Sequence, residues 1–200
     1  KIVEEYLYSA MEDYKLDIII DQGPGARSVT LQLEKFTLIG STTRAGLLSS
    51  PLLGRFGLSC RLNYYNTDEL ADIVHRSAGI MKMKIEDEGA MIIAMRSRGT
   101  PRIANRLLKL TRDLATVKNK GFITGEVADE CLNNWEIDHR GLDELDKKIL
   151  TTIIDTYKGG PVGLNSIAVS VGEEAGTIED VYEPFLVQEG FIRRTSRGRE

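Results

Sequence analysis

Hydrophobic and polar positions divide the chain into three stretches of different character. The first begins with a helical pattern from Glu4 to Tyr14, followed by a short apolar run from Leu16 to Ile20. Turn residues then separate that run from residues 29–33, in which apolar and polar positions alternate as in a β-hairpin. The pattern therefore predicts a helix and a hairpin, the hairpin spanning about residues 17–34.

A second apolar run, Phe36 to Gly40, leads directly into the polar triplet Ser41-Thr42-Thr43. The apolar run predicts a buried strand. The hydroxyls at its end predict ligand contacts, because this is their usual position in an open α/β sheet. A helix-to-loop segment is predicted at Pro51 to Gly57 and a short strand at Arg61 to Tyr65. Together these elements predict part of an α/β domain.

The pattern becomes purely helical after Tyr65. Asn66 predicts the cap of a first helix, and a second helix is predicted from Asp87 to Arg98. Gly99-Thr100-Pro101 opens a third helix, in which apolar residues recur at steps of three and four. A fourth is predicted from Thr124 to Trp135, so residues 66–136 should form a compact helical domain. The predicted core stripe of the third helix is Ile103, Leu107, Leu110, Leu114 and Val117.

The third stretch begins near Gly141 and predicts three helices followed by a strand and a basic turn. Gly159-Gly160-Pro161 ends the first helix and Gly172 ends the second. The third helix is predicted to start at a capping box headed by Thr177 and to bury Val181 among other apolar residues. This order of elements predicts a winged helix-turn-helix over residues 141–200.

The charge of the chain changes this picture only locally. With 26 basic and 30 acidic residues, the net charge of −4 does not indicate a nucleic-acid-binding protein. Residues 96–112, however, contain six basic residues and no acid, and residues 191–200 contain four arginines and one Glu. Such islands indicate contact with phosphate, of a nucleotide or a polynucleotide, or else a solvated helix face and a frayed tail. Charge alone leaves both interpretations open.

Two arginines stand in contexts that suit phosphate chemistry. Arg55 follows Gly54 in a tight segment from which a guanidinium could project. Arg102 lies in the first turn of a helix, where the helix dipole disfavours a cation unless an anion is bound nearby. An ordinary surface arginine or ion pair remains the alternative for each.

The third predicted helix of residues 141–200 carries acids that would repel a DNA backbone, in particular Glu179, Asp180 and Glu183. If this domain binds DNA, we expect the arginines of the wing to contact phosphates without reading bases.

Cysteines, histidines and the N-terminus narrow the setting. Cys60 and Cys131 form no paired framework, which predicts buried thiols in a reducing, cytoplasmic environment. His75 and His139 lack metal-ligand spacing, so no metal site is predicted. No apolar run approaches the roughly 18 residues of a membrane-spanning helix, and no membrane association is expected. The start at Lys1 lacks an initiator Met and a signal peptide, so we expect the chain to begin partway through a larger protein.

Several segments of the chain resemble the RuvB family, the AAA+ motors of bacterial Holliday-junction branch migration, and the resemblance covers essentially the whole chain. They are Glu4-Glu5-Tyr6-Leu7-Tyr8, Ala10-Met11-Glu12-Asp13-Tyr14, Leu38-Ile39-Gly40-Ser41-Thr42-Thr43-Arg44-Ala45-Gly46, Gly99-Thr100-Pro101-Arg102-Ile103-Ala104-Asn105-Arg106 and Gly159-Gly160-Pro161-Val162-Gly163-Leu164. The resemblance implies three parts. Residues 1–65 would be the α/β remnant of the large AAA+ ATPase domain, residues 66–136 the all-α lid, and residues 141–200 the winged-helix head.

The resemblance also implies a role for each matching residue. Thr43 matches the sensor 1 position and Arg102 the sensor 2 arginine. Arg55 matches the arginine finger, which acts in trans on the nucleotide of a neighbouring subunit. The positions that match the nucleotide site are Glu12, Asp13, Tyr14, Arg55, Tyr65 and Arg102. The positions that match the DNA-holding wing are Arg194, Arg197 and Arg199.

As cofactors the resemblance implies ATP and Mg²⁺, and as assembly a homo-hexamer. The implied partners are four-way junction and duplex DNA, the RuvA protein through the hairpin at Ile18 to Leu33, and the RuvC resolvase in a larger complex. In the family, the phosphate loop and the main Mg²⁺ ligands precede the position of Lys1. We therefore expect ATP hydrolysis and branch migration, in recombination and repair, from the intact protein and not from this chain alone.

Two alternatives to the motor remain at this level. A non-catalytic adaptor could combine a helical domain and a winged helix to bind DNA or protein, and it would make Arg55 and Arg102 dispensable. A clamp-loader-like AAA+ subunit would have both arginines but no terminal winged helix.

Overall fold

The computed structural model describes residues 2–19 and 28–200. They fall into two compact units, Lys1–Leu62 and Asn63–Glu200. In the described residues no helix is both long and apolar enough to cross a membrane.

The first unit contains the predicted helix and hairpin. Helix α1 (Ile2–Asp13) leads into strand β1 (Lys15–Ile19), which pairs antiparallel with β2 (Ser28–Gln32). The predicted tip of the hairpin, residues 20–27, lies outside the described residues. A short helix, α2 (Ser50–Leu53), follows a 3₁₀ turn at Ala45–Leu47.

Tyr14 forms the corner between α1 and the hairpin. Its φ of 54° is in the left-handed region, which lets the chain reverse direction within one residue. Its carbonyl oxygen accepts hydrogen bonds from the backbone N–H of Leu33 at 2.7 Å and from the side chain of Gln32 at 3.0 Å. These bonds close the base of the hairpin.

The predicted strands at Phe36 to Gly40 and Arg61 to Tyr65 are wrong. Neither segment forms a strand, and Ile39 is 88% exposed rather than buried. A buried strand requires neighbouring strands to bond its N–H and C=O groups. The described residues provide no such neighbour at either segment.

Residues 63–140 contain the four predicted helices, which pack around one hydrophobic core. Asn66 and Glu69 make a capping box at the first helix, and Thr124 caps the last. The second helix ends at Met95, earlier than predicted, because the chain turns through left-handed φ angles at Arg98 and Gly99. The helices are α3 (Thr67–Ile80), α4 (Asp87–Met95), α5 (Pro101–Lys118) and α6 (Gly125–Asn134), and the strands β3 (Lys84–Ile85) and β4 (Phe122–Ile123) pair in parallel.

The predicted core stripe of α5 is partly wrong. Leu107 is fully buried as predicted, but Val117 is 85% exposed. The helix packs against α3, α4 and α6, so its buried face is broader and rotated relative to a single stripe. The buried residues of α5 are Ala104, Leu107, Leu108, Thr111 and Ala115.

The remaining residues form the predicted winged-helix head around a second hydrophobic core. Its wing is a short hairpin, and Val162 adds a bridge to Arg199 beside it. The helices are α7 (Glu144–Thr151), continued by a π-helical turn (Thr152–Thr156), α8 (Leu164–Val171), α9 (Ala175–Thr177), a second π-helical turn (Ile178–Tyr182) and α10 (Glu183–Gln188). The wing strands are β5 (Arg194–Thr195) and β6 (Gly198–Arg199).

The third head helix, residues 175–188, differs from the prediction at its start and in its phase. Thr177 is already inside the helix and makes no side-chain capping bond, so the predicted capping box is wrong. Val181 is exposed while Ile178 and Phe185 are buried. A π-helical turn adds a residue to one turn and shifts the helical phase, which places Val181 outside the core.

Candidate functional site

The residues predicted to handle the nucleotide are distributed over both units. Glu12, Asp13, Tyr14, Thr43 and Arg55 belong to the first unit, and Tyr65 and Arg102 belong to the second. Each unit presents its own part of the predicted site.

Arg55 is held against α1 by three contacts of its guanidinium. Its Nη2 lies 2.9 Å from Glu12 Oε1, and its Nη1 donates to the carbonyl oxygen of Pro51 at 2.8 Å. The guanidinium also stacks 4.4 Å from the ring centroid of Tyr8, a cation–π geometry. The Nε atom is buried and has no hydrogen-bond partner among the described residues. The geometry thus brings Arg55 and Glu12 together.

The position of Arg55 follows from the cap of α2, a link that sequence analysis missed. Ser49 caps α2 by accepting from Leu52 N at 3.4 Å, and its Oγ shares a 2.7 Å hydrogen bond with the Tyr8 hydroxyl. Tyr8 therefore ties the start of α2 to α1 and lies directly under the guanidinium that follows the helix. The signal in the sequence is Ser49 immediately before Ser50-Pro51, a common helix start.

Asp13, Tyr14 and Thr43 do not join the Arg55 cluster. Asp13 is exposed at the end of α1, and Thr43 is exposed at a bend. Tyr14 packs edge-on against Phe36, with ring centroids 5.9 Å apart. In residues 2–19 and 28–62, no ion pair, hydrogen bond or ring contact connects these three side chains to Arg55.

In the second unit, Tyr65 and the segment before Arg102 are directly bonded. The backbone N–H of Tyr65 donates to the carbonyl oxygen of Gly99 at 3.0 Å. Tyr64 packs so closely on Gly99 that a Cβ added there would lie 2.7 Å from the Tyr64 Cβ. Only glycine fits this position, because its φ of +66° and the contact with Tyr64 both exclude a side chain.

Arg102 is exposed at the N-terminus of α5, and within residues 63–200 it makes no ion pair. Thr100, the N-cap residue, makes no side-chain capping bond, and the first turn contains no acid. Arg106 and Lys109 continue an exposed basic face at positions i+4 and i+7. The uncapped N–H groups and the unpaired cation together favour an anion at this end of the helix.

The wing arginines are organised by one buried acid of α10. Glu183 is 1% exposed, and Arg199 donates to its two carboxylate oxygens at 3.0 and 3.1 Å. Arg194 also bonds Glu183 through Nε, and both arginines lie within 4 Å of Glu179. Burial opposes ionisation of Glu183, but the hydrogen bonds from the two arginines outweigh it and lower its pKa.

Two acids of the third head helix are therefore paired with arginines and are not uncompensated negative charges. Glu183 and Glu179 are neutralised by the wing, so Arg199, at 17% side-chain exposure, is an internal cation. This role of Glu183 is not evident from the sequence, in which only its spacing of four from Glu179 indicates a shared helix face. Arg197 is different: it is exposed at the turn between β5 and β6 and makes no ion pair within residues 63–200.

Models of three protein families match consecutive parts of the chain. Residues 1–62 match the Holliday junction DNA helicase RuvB P-loop domain, residues 65–138 the RuvB AAA lid domain, and residues 139–200 the RuvB C-terminal winged helix domain. The chain belongs to the RuvB family. Its fold is accordingly part of an AAA+ ATPase domain followed by a helical lid and a winged-helix head.

RuvB proteins of known sequence and structure resemble the chain along nearly its whole length. The RuvB of Salinibacter ruber is 57% identical over 198 residues, and that of Flavobacterium johnsoniae is 60% identical over 199 residues. The solved Thermotoga maritima RuvB branch migration motor superposes with a TM-score of 0.81 at 49% identity, covering 98% of this chain and 61% of that one. The matches cover 99% and 100% of this chain but 58% of each curated relative.

Among the residues predicted to contact the nucleotide, Arg102 suits an anionic group such as a phosphate. Arg102 presents a cation, unpaired within residues 63–200, at an uncapped helix end. In contrast, residues 2–19 and 28–200 contain no group of three His, Cys, Asp or Glu side chains that could hold a metal.

Proposed function

We propose that this chain is part of an ATP-driven motor that moves the branch point of Holliday junctions during recombination and repair, working on DNA in the cytoplasm. The observation that carries the proposal is the uninterrupted series of three RuvB domain matches along residues 1–200. A non-catalytic adaptor or a clamp-loader-like subunit would need only part of that series.

In this proposal, Arg102 contacts the phosphates of ATP from the lid, and Tyr65 lies at the same site. The support is the exposed guanidinium of Arg102 and the bond of Tyr65 to the turn that precedes it. Mg²⁺, held by residues other than those described, would neutralise phosphate charge. Asp13, Tyr14 and Thr43 keep their proposed places near the nucleotide, although their described contacts are internal to the first unit.

Arg55 is proposed as the arginine finger that acts on the nucleotide of a neighbouring subunit in a homo-hexamer. Its ion pair with Glu12 of the same chain would have to break for that role. Glu12 would therefore bind Arg55 only while Arg55 does not contact the neighbouring nucleotide. Solved variants of the Thermotoga maritima RuvB include one at a threonine, one at an arginine twelve positions later and one at a proline forty-six positions beyond it. Thr43, Arg55 and Pro101 stand at the same intervals, which supports the correspondence.

The hairpin is proposed as the surface that docks on RuvA. Its register places Ile18 opposite Val29 and Leu16 opposite Leu31, so these side chains share one face. Ile18, Val29 and Leu31 are each exposed by at least 40%. An exposed apolar face of this kind marks a protein interaction site. We place RuvC, as the resolvase, in the same larger complex.

Duplex DNA and the four-way junction are proposed to lie against the wing, with Arg197 and the exposed part of Arg194 on the phosphates. Arg199 is proposed not to contact DNA but to stabilise the wing through its ion pair with Glu183. This division follows from exposure, since Arg194 is 51% exposed and Arg199 is largely buried.

The proposal is tested by ATP turnover of the full-length protein with and without four-way junction DNA and RuvA. We expect turnover that junction DNA and RuvA stimulate, together with movement of the branch point. Junction binding without any turnover would instead support the adaptor.

Replacing Arg102 by alanine is expected to weaken ATP binding and to abolish the dependence of DNA binding on nucleotide. The loss of one charge-assisted contact to phosphate costs about 1.5–3 kcal/mol, or roughly 10- to 100-fold in affinity. Titration of a fluorescent ATP analogue into the full-length protein measures this. Arg106→Ala, one turn further along α5, is the matched control, and an equal effect of both would contradict a specific role for Arg102.

Replacing Arg197 by alanine in the full-length protein is expected to weaken binding of duplex DNA of any sequence. The slope of log K against log salt concentration should fall by about 0.9 for each phosphate that the protein no longer neutralises. Binding is measured by anisotropy at several salt concentrations. Arg193→Ala removes a wing arginine already paired with Glu200 at 2.6 Å, and a slope change as large as that of Arg197→Ala would refute the assignment.

A further inference from the structure

Arg98 crosses from the lid to the head. It lies in the turn between α4 and α5, and its side chain is only 11% exposed. Its Nε donates to the carbonyl oxygen of Gly141 at 2.7 Å, and its Nη2 lies 3.1 Å from Asp143 Oδ2 and also bonds Asp146. These polar partners all belong to residues 141–146, at the entrance to the head.

The two acids that Arg98 holds are the capping residues of α7. Asp143 Oδ1 accepts from the N–H of Leu145 and of Asp146, each at 3.1 Å, and Asp146 Oδ2 accepts from the N–H of Asp143 at 2.9 Å. Asp146 is fully buried, and burial raises its pKa to about 6, although Arg98 acts to lower it. The backbone hydrogen bond from Asp143 and the charge of Arg98 both lower this pKa and so favour the buried carboxylate in its ionised form.

Arg98 also contacts α10, and its side chain lies where the backbone at Gly141 packs closely against the backbone at Arg96. Its guanidinium stacks 4.8 Å from the ring centroid of Phe185, which is buried in α10. Gly141 has a φ of +80°, and a Cβ there would lie 2.8 Å from the carbonyl oxygen of Arg96. The guanidinium thus contacts both α7 and α10, and the close packing of Gly141 on Arg96 restricts the backbone beside it.

The other end of the same segment reaches the proposed nucleotide contacts. The hydroxyl of Thr100 donates to the carbonyl oxygen of Arg98 at 3.1 Å, and the carbonyl oxygen of Gly99 accepts the N–H of Tyr65. Arg102 follows in the first turn of α5. Residues 98–102 therefore carry both the head contact and the proposed phosphate contact, with no flexible linker between them.

We propose that Arg98 is a positioning residue that transmits movement of the lid to the DNA-binding head. It does so by fixing α7 and α10 to the segment that carries Arg102. The inference rests on the proposed function for its purpose, but its geometric part does not. A rotation of the lid that follows the nucleotide would carry the wing with it as one body.

The test separates coupling from simple stabilisation by comparing two activities of the full-length protein. Arg98→Lys keeps the charge but loses the fork that bonds Gly141 and both acids together. We expect junction-stimulated ATP turnover within about threefold of wild type, and branch migration per ATP lowered about tenfold or more. Arg76→Ala, an exposed arginine of α3, should change neither quantity. An unchanged ratio of branch migration to ATP turnover, whether or not both activities fall, would overturn the proposal.

A second measurement follows the geometry without relying on activity. Spin labels are placed at cysteines substituted for Val117 in the lid and Val169 in the head, both more than 80% exposed. Cys60 is replaced, because it is exposed and not buried as predicted, whereas Cys131 is buried. We expect one narrow distance distribution in the parent protein and a broadened one in Arg98→Lys. Phe185→Leu, which removes the stacking and keeps the ion pairs, should broaden it less. An unchanged distribution in Arg98→Lys would overturn the proposal.

The two measurements also distinguish failure of the inference from failure of the proposed function. If the wild-type protein showed no junction-stimulated turnover, the motor would be wrong, and the distance distributions would still decide whether Arg98 fixes the head to the lid. If the wild-type protein migrates junctions and Arg98→Lys does so with the same yield per ATP, the motor stands and the inference fails.

Discussion

Replacement of Arg55 by alanine is expected to lower ATP turnover of the full-length protein about 10³-fold or more. An arginine finger stabilises charge that develops on the transferred phosphoryl group, and its removal typically costs a factor of this size. The folded chain should tolerate the change, because a partly exposed ion pair such as that of Arg55 with Glu12 contributes at most about 1 kcal/mol. The measurement is kcat for ATP with junction DNA, beside a thermal unfolding curve.

Mixing experiments decide whether Arg55 acts across the subunit boundary. Subunits with Arg55→Ala lack the finger but have an intact site of their own, whereas subunits with Arg102→Ala have the reverse. Mixed rings should therefore recover part of the turnover that each variant lacks alone. Arg76→Ala controls for loss of an exposed arginine. Turnover of Arg55→Ala within about threefold of wild type would show that Arg55 is not the finger.

Replacement of Glu183 by alanine is expected to destabilise the wing and α10 by about 3 kcal/mol. Breaking a buried ion pair from one side leaves uncompensated charge, and Arg199 would keep only the weaker contact with Glu179. Hydrogen exchange of the amides of α10, β5 and β6 reports the free energy of local opening. Glu183→Gln, which retains a hydrogen-bond acceptor, should lose less.

The effect of Glu183 also has a defined pH dependence. Its pKa in the folded protein is below the ordinary value of 4.5. The stabilisation by its carboxylate is therefore complete above that value and is lost as the pH falls through the lower, folded pKa. The difference in the free energy of local opening between wild type and Glu183→Ala should therefore shrink as the pH falls. Glu189→Ala, at the exposed end of the same helix, should show no such difference, and an equal effect there would contradict the account.

Local pattern predicted most of the helices and two of their caps, because these depend on neighbours in sequence, although the capping box predicted at Thr177 is wrong. Asn66 and Thr124 cap the helices they precede, and the wing follows the third head helix as expected. The strand predicted at Phe36 to Gly40 was wrong, because a strand depends on pairing with strands that are distant in sequence. The burial predicted for Val117 and Val181 was wrong, because the elements packed against a helix determine which of its faces is buried. At Val181, a π-helical turn also changes the helical phase.

The candidate site was predictable in part. A cation in the first turn of α5 singled out Arg102, and the structure leaves that cation unpaired within residues 63–200. The partners of Arg55, Arg98 and Arg199 were not predictable from periodicity, because Glu12, Asp146 and Glu183 are distant in sequence and look like ordinary helix acids. Long-range charge pairs leave no repeating pattern in a sequence.

If the wing binds DNA as proposed, the pairing of its arginines with acids limits how tightly one head can bind the duplex. With Arg199 turned inward to Glu183 and Arg193 paired with Glu200, each head offers Arg197 and part of Arg194 to the backbone. A grip of one or two phosphate contacts dissociates quickly at physiological salt. Heads linked in one ring would instead hold by avidity, since each released head rebinds at the high local concentration set by its neighbours. In the proposed hexamer, one head could then release the duplex while the other heads stay bound, which would allow movement along DNA of any sequence.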